Sequence, residues 1–195
     1  MVSTLRVISG GQTGVDIAGL RAAKAAGVET GGWMPKGWRT DGGAHPEYAA
    51  LYGLRVTRSE AYPVRTRKNV ASADHTLLIG TDLGSAGSRT TLRACAECGK
   101  MCTRLLWQTG RTPDATVFEA LLQLLVRQEP FTLNVAGNRD PKLEKPVEEW
   151  LTTLFREAAR LRDANEPAPL TLSAPAAATS ERPRKTGNRR PARNR

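Results

Sequence analysis

Residues 4–27, TLRVISGGQTGVDIAGLRAAKAAG, decide the fold class. Thr4 to Ile8 are a short apolar, β-branched run that stops at Ser9-Gly10-Gly11. Val15, Ala18, Leu20, Ala22 and Ala25 then recur at helical spacing, and Gly27 stands where a helix C-terminal glycine is favoured. The reading is strand, glycine-rich turn, helix. Thr76-Leu77-Leu78-Ile79-Gly80 is a continuous apolar run, which predicts a strand covered on both faces. Further strands are predicted at Leu54–Thr57, 103–107 and Thr132–Ala136, with a weaker one at Thr30–Met34 because of its glycines. Helices are predicted at the start of 62–69, around Arg89–Cys98, at 114–128 capped by Asp114, and at Pro146–Arg162. Strands alternating with helices predict an α/β fold, a Rossmann-like three-layer sandwich with a mostly parallel sheet. No internal repeat is visible.

The chain has 195 residues, 39% hydrophobic and 25% charged, a mixture that suits one soluble domain with a real core. No stretch approaches the roughly 20 apolar residues of a membrane span. Only eight residues, Arg6 among them, precede the Ser9-Gly10 break, so no secretory signal is expected. Three cysteines cannot pair completely, which favours a reducing, cytoplasmic location. The net charge is +10, and residues 164–195 hold seven of the basic residues against Glu166 and Glu181. This Pro-, Ala- and Arg-rich stretch lacks apolar periodicity and is expected to be a disordered basic tail after a domain at 1–163. It is a solubilising segment or a weak contact for nucleic acid or another polyanion.

In a parallel sheet ligands bind beyond the carboxyl ends of the strands. After the first strand, Gly10, Gly11, Gln12, Thr13 and Gly14 offer a tight turn before a helix start, a combination that favours an anion; Asp16 follows in the first helical turn. The turn is neither a GxGxxG fingerprint nor a P-loop. Gly31 to Gly43 carry Trp33, Lys36 and Arg39, candidates for stacking on a heterocycle and for clamping an oxyanion. Arg65 lies near a helix start, where a cation opposes the dipole and hints at an anionic partner. Asp82 to Thr91, with Gly87, Ser88 and Thr90, repeat the small and hydroxyl chemistry of the first turn. Gly137-Asn138-Arg139-Asp140 follow the last strand, which itself carries Asn134.

Cys95 and Cys98 share a helix face and read as core residues, and Cys102 lies past Gly99, beyond that helix. With only His45 and His75 as further soft ligands, no protein-ligated metal is expected. The faces of such a sheet leave room for a homodimer.

Four ordered motifs together resemble the molybdenum carrier family of the SLOG superfamily: Ser9–Asp16, Gly31–Gly37, Tyr62 with Arg65-Thr66 and Asn69-Val70, and Leu133–Gly137. The resemblance covers roughly residues 4–160 and implies a Rossmann-like domain whose glycine turns bind a phosphorylated, nucleotide-like ligand. In the carrier branch it implies the molybdenum cofactor (molybdopterin), a pterin bearing a phosphate. Departures are Ile17 where an arginine is common, Met34 where cysteine is frequent, Trp38 for a polar or basic residue, and Ala86-Gly87-Ser88 for Gly-Gly-Thr. A sister branch cleaves nucleoside monophosphates with a glutamate that would fall at Thr91, and threonine supplies no carboxylate. Three functions follow: a cytosolic binding or carrier protein, a nucleotide hydrolase with Asp16 as its acid/base candidate, and a nucleic-acid accessory protein acting through the tail.

Overall fold

The computed structural model describes residues 4–127 and 129–164, so the tail expectation lies almost wholly outside the described residues. In chain order the elements are β1 (Leu5–Ser9), α1 (Val15–Ala25), β2 (Glu29–Met34), β3 (Arg39–Thr40), β4 (Gly43–Ala44), α2 (Tyr48–Tyr52) and β5 (Leu54–Val56). There follow α3 (Tyr62–Ala71), β6 (His75–Gly80), α4 (Ala86–Glu97), β7 (Met101–Leu106), α5 (Ala115–Leu125), β8 (Phe131–Gly137), a 3-10 turn (Pro141–Leu143) and α6 (Glu144–Ala164).

Six strands form one sheet in the order β5-β2-β1-β8-β6-β7, and every pairing in it is parallel. β3 and β4 pair antiparallel as a separate hairpin. The helices divide as right-handed crossovers require. Connections running toward β5 (α1) or back from β7 (α5) fall on one face. Those running toward β7 (α3, α4) fall on the other. α6 follows β8 and packs on α1, and α3 packs on α4.

The two faces of the sheet differ chemically. Leu5, Val7, Leu77, Ile79, Leu133 and Val135 point toward α1, α5 and α6 and share one aliphatic core with Phe155, which is fully buried. The alternating residues, Thr76 and Asn134 together with the buried Ile8 and Leu78, face the side of α3 and α4, where Val70, Ala94 and Cys95 form a small buried cluster. Two helix starts carry side-chain caps: Asp114 accepts from the Val117 N–H at 3.0 Å and Ser85 accepts from the Ser88 N–H at 3.2 Å.

His75 lies buried at the start of β6, with Nε2 2.8 Å from Thr103 Oγ1. Burial, aided by Arg127, lowers its pKa from 6.5, so the fold favours the neutral ring. Its contribution to stability is therefore complete above 6.5 and is lost as pH falls, because the unfolded chain takes up the proton more readily. Denaturant midpoints measured from about pH 7.5 to about pH 5.5 should fall, and His75→Gln should flatten that slope.

Candidate functional site

β1 sends the chain toward one sheet edge and β6 sends it toward the other, with β8 between them. Their carboxyl ends form the topological switch point, where the adjacent loops part. A cleft of about 220 Å³ opens there. Gln12 and Asp16 line it beyond β1, and Ala136, Gly137 and Arg139 at the end of β8. α3 contributes Tyr62, Pro63, Arg65 and Thr66, and α4 contributes Ala86, Gly87, Thr90 and Thr91. A larger hollow of about 480 Å³ lies between α5 and α6, lined by Phe118, Pro146 and Trp150 with Glu119 and Glu149. It holds no cation, whereas the switch-point cleft gathers buried charge, which makes the smaller cavity the candidate site.

Its wall is a buried ion pair. Arg65 Nη1 donates to Asp16 Oδ2 at 2.9 Å, and the Gly137 N–H donates to Asp16 Oδ1 at 3.2 Å. Asp16 is 3% exposed and Arg65 8%. Gly10 makes this geometry available, because a Cβ there would stand 1.6 Å from Arg65 Nη1. Both carboxylate oxygens are thus engaged within the protein. Arg65 Nε is buried with no partner, and an unmade buried donor costs about 1–3 kcal/mol unless a ligand meets it.

A second guanidinium stands at the rim. Arg139 lies over the Tyr62 ring, 4.5 Å from its centroid, and donates to Asp41 Oδ1 at 3.1 Å. Asp41 is tied to the first turn by Gln12: its N–H donates to Gln12 Oε1 at 2.8 Å, and Gln12 Nε2 donates to Asp41 Oδ1 at 3.2 Å. The tip of the β3–β4 hairpin is thereby fixed beside the cleft.

The third component is the start of α4. Asn138 holds this turn to the end of β8, with Oδ1 accepting from the Asp82 N–H at 2.9 Å and Nδ2 donating to the Asp82 carbonyl at 2.9 Å. Ala86 and Gly87, in the first helical turn, line the cleft, so the amide groups and positive dipole end of α4 lie at its wall. The Thr90 and Thr91 hydroxyls donate to the Ala86 and Gly87 carbonyls one helical turn back. The Ser88 hydroxyl is buried and paired with Ser85 Oγ at 2.9 Å.

Of the residues singled out from sequence, Gln12, Asp16, Arg65, Gly87 and Thr90 meet in the cleft, and Gly10 supports it. The start of α1 is already supplied with an anion. Glu144 of α6 accepts from the Gly14 N–H at 3.0 Å, while the Val15 N–H donates to the Asn138 carbonyl at 3.1 Å. The Thr13 N–H is taken by Gln12 Oε1 at 2.9 Å, and Gly11 packs on Met34 and Leu54. Trp33 sits on the sheet beside β5, its ring contacted by Lys68 at 3.4 Å and Arg55 at 5.2 Å. Arg39 pairs with Glu60 at 3.3 Å and Lys36 is exposed. Asn134 is buried under α4, bonded to Thr76. Tyr62, Pro63, Thr66, Ala86, Thr91, Ala136, Gly137 and Arg139 line the cleft without having been predicted as binding residues, although all of them stood in stretches that the sequence flagged.

Among the described residues no group of three or more His, Cys, Asp or Glu side chains is placed to hold a metal ion. No described helix is long and apolar enough to cross a membrane.

The model described as the circularly permutated YpsA SLOG family matches residues 7–155. Among solved structures, the chain resembles one described as "Putative molybdenum carrier protein" from Syntrophus aciditrophicus SB. The two are 29% identical, the match covers 82% of this chain and 95% of that one, and the TM-score is 0.58. No curated protein matches.

Proposed function

The chain belongs to the circularly permuted YpsA SLOG family, and from that premise we propose that its switch-point cleft holds a phosphorylated, nucleotide-like small molecule without cleaving it. One observation carries the reading: two guanidiniums and the first turn of α4 converge on one cleft, and the buried Arg65 Nε lacks an acceptor. The phosphate lies against Ala86 and Gly87, with Arg139 swinging from Tyr62 and Asp41 to close on it. Ligand oxygen meets Arg65 Nε. About 220 Å³ is less than the roughly 300–1,000 Å³ of a typical small-molecule site, so the phosphate end is enclosed and the heterocycle projects over Tyr62 and Pro63.

The printed name of the solved neighbour supports a narrower form of this reading, in which the cargo is the molybdenum cofactor. The residues present fit its phosphate through Arg65, Arg139 and the α4 turn. They offer no described metal-ligating set, so the metal would travel as part of the cargo.

Binding is favoured over hydrolysis because the candidate acid/base is committed. Asp16 gives one oxygen to Arg65 and the other to the Gly137 N–H, and the residue at the sister branch's glutamate position is Thr91. Neither offers a free carboxylate to a water or a glycosidic oxygen.

Native mass spectrometry of the full chain, followed by release and mass analysis of what it holds, should yield a phosphorylated heterocycle. Calorimetric titration with adenosine monophosphate supplies the second arm. Arg139→Ala should weaken binding about ten- to hundredfold, the value of one charge-assisted contact, while leaving thermal stability unchanged. Unaltered affinity in that variant, or release of free base from the nucleotide, would contradict the reading.

A further inference from the structure

The hollow between α5 and α6 joins a buried aromatic wall to two exposed carboxylates. Phe118 of α5 meets Trp150 of α6 edge to face, with ring centroids 6.1 Å apart, and Trp107 meets Trp150 in the same manner at 6.0 Å. Pro113 and Pro146 add apolar surface beside these rings. The charged residues lining the hollow are Glu119 and Glu149, both exposed. Among the described residues Glu119 has no ion-pair partner, and Glu149 has Lys145, with Nζ 4.0 Å from Oε1. The chain as a whole carries 29 Lys and Arg against 19 Asp and Glu. A cavity charged by carboxylates alone runs against that composition, and with its aromatic wall it matches a guest that is cationic and partly apolar.

We propose that this hollow docks residues 182–185 of the same chain, Arg-Pro-Arg-Lys, with Pro183 against Phe118 and Trp150 and the two arginines on Glu119 and Glu149. The segment lies outside the described residues, and its chemistry and its reach select it. Proline-containing segments enter aromatic-lined grooves with little conformational freedom to lose. Arginine pairs with carboxylate through a fork of N–H donors and also stacks on aromatic faces. Arg182-Pro183-Arg184 is the one place in the sequence where a proline stands between two arginines. The hollow ends on α6 at Thr153, eleven residues before Ala164, which is about 16 Å along the helix. Eighteen residues separate Ala164 from Arg182, and a chain of that length spans up to about 60 Å. Docking is therefore intramolecular and independent of protein concentration. The volume of about 480 Å³ falls in the roughly 300–1,000 Å³ of a small-molecule site, so the hollow takes a few side chains and not a folded partner. The proposal is independent of what the switch-point cleft binds.

Carbodiimide coupling of the full chain tests this, because the reagent joins an amine to a carboxylate in direct contact and leaves no spacer. Lys185 is the one lysine among residues 165–195. Peptide mapping should find Lys185 joined to Glu119 or Glu149 within single chains, at a yield that does not change with protein concentration. Raising the salt from about 0.05 M to about 0.5 M should lower that yield several-fold. Arg182→Ser with Arg184→Ser leaves Lys185 in place and should slow the coupling about fivefold, the value of two exposed ion pairs. In a mixture of isotope-labelled and unlabelled chains, Lys185 of one chain joined to Glu119 or Glu149 of another would assign the hollow to a second copy and overturn the proposal. So would Lys185 products spread evenly over carboxylates outside the hollow, such as Glu29 and Glu97, a yield unmoved by salt, or no Lys185 product at all. Each of these outcomes is read on the parent chain and does not depend on any variant folding.

Discussion

Asp16→Ala destabilises the folded chain by about 3–5 kcal/mol, and Asp16→Ala with Arg65→Ala recovers part of that loss. The single change leaves Arg65 buried and without a counter-charge at 8% exposure, and it leaves the Gly137 N–H without its acceptor. Removing the guanidinium as well removes the uncompensated charge, though not the lost bond to the Gly137 N–H. Denaturant midpoints of the parent, the two single variants and the double variant measure the coupling directly. A catalytic acid/base held apart from its neighbours would give the opposite pattern, with Asp16→Ala fully stable. The expected order is parent, then double variant, then Asp16→Ala.

Gly137→Ala and Gly87→Ala should have opposite effects, although both place one methyl group on a cleft-lining glycine. A Cβ at Gly137 would stand 2.0 Å from the Ile79 carbonyl oxygen and 2.7 Å from Val15 Cβ. The first of these is backbone of the neighbouring strand and cannot rotate away, so the β8–β6 pairing must part. The expected loss is about 3 kcal/mol or more. At Gly87 nothing lies within 4 Å of the added atom, and the residue belongs to the first turn of α4. Alanine there lowers the entropy of the unfolded chain and favours the helix by about 0.4–1 kcal/mol. Thermal melts of the two variants side by side test the close approach of β8 to β6 at the point where the cleft begins.

The layered fold was readable where one physical signal dominated. The continuous apolar run of β6 and the 3.6-residue period of α1 and α5 placed those elements within a few residues, and Asp114 marked the start of α5. β2 was weaker in sequence because Gly31 and Gly32 interrupt it. Their missing side chains make room for the Arg6 guanidinium and for the Ser9 backbone, contacts between strands that no local window contains. The β3–β4 hairpin and α2 went unread because they are short and are held by distant partners such as Gln12 on Asp41. The sheet is also more uniform than expected, since all six of its strands run parallel.

The site was legible as residue types and only partly as a place. Asp16 and Arg65 each stood out, but their pairing spans 49 positions in sequence. The anion that answers the α1 dipole comes from Glu144, 130 positions after Gly14, so a turn that reads as open to phosphate is internally supplied. Trp33 reads as a free stacking surface, yet Lys68 and Arg55 approach its ring. Arg139 and Tyr62 needed each other to be recognised, because neither alone forms a clamp.

Amide chemical-shift mapping during titration with adenosine monophosphate addresses the placement of the ligand most directly. The largest shifts should fall on Ala86, Gly87, Gly137 and Arg139, the groups that line the switch-point cleft, with the Arg65 Nε–H resonance moving as it gains an acceptor. Shifts confined to Gly11–Gly14, or to Phe118 and Trp150 in the hollow between α5 and α6, would contradict the assignment of the cleft as the binding site.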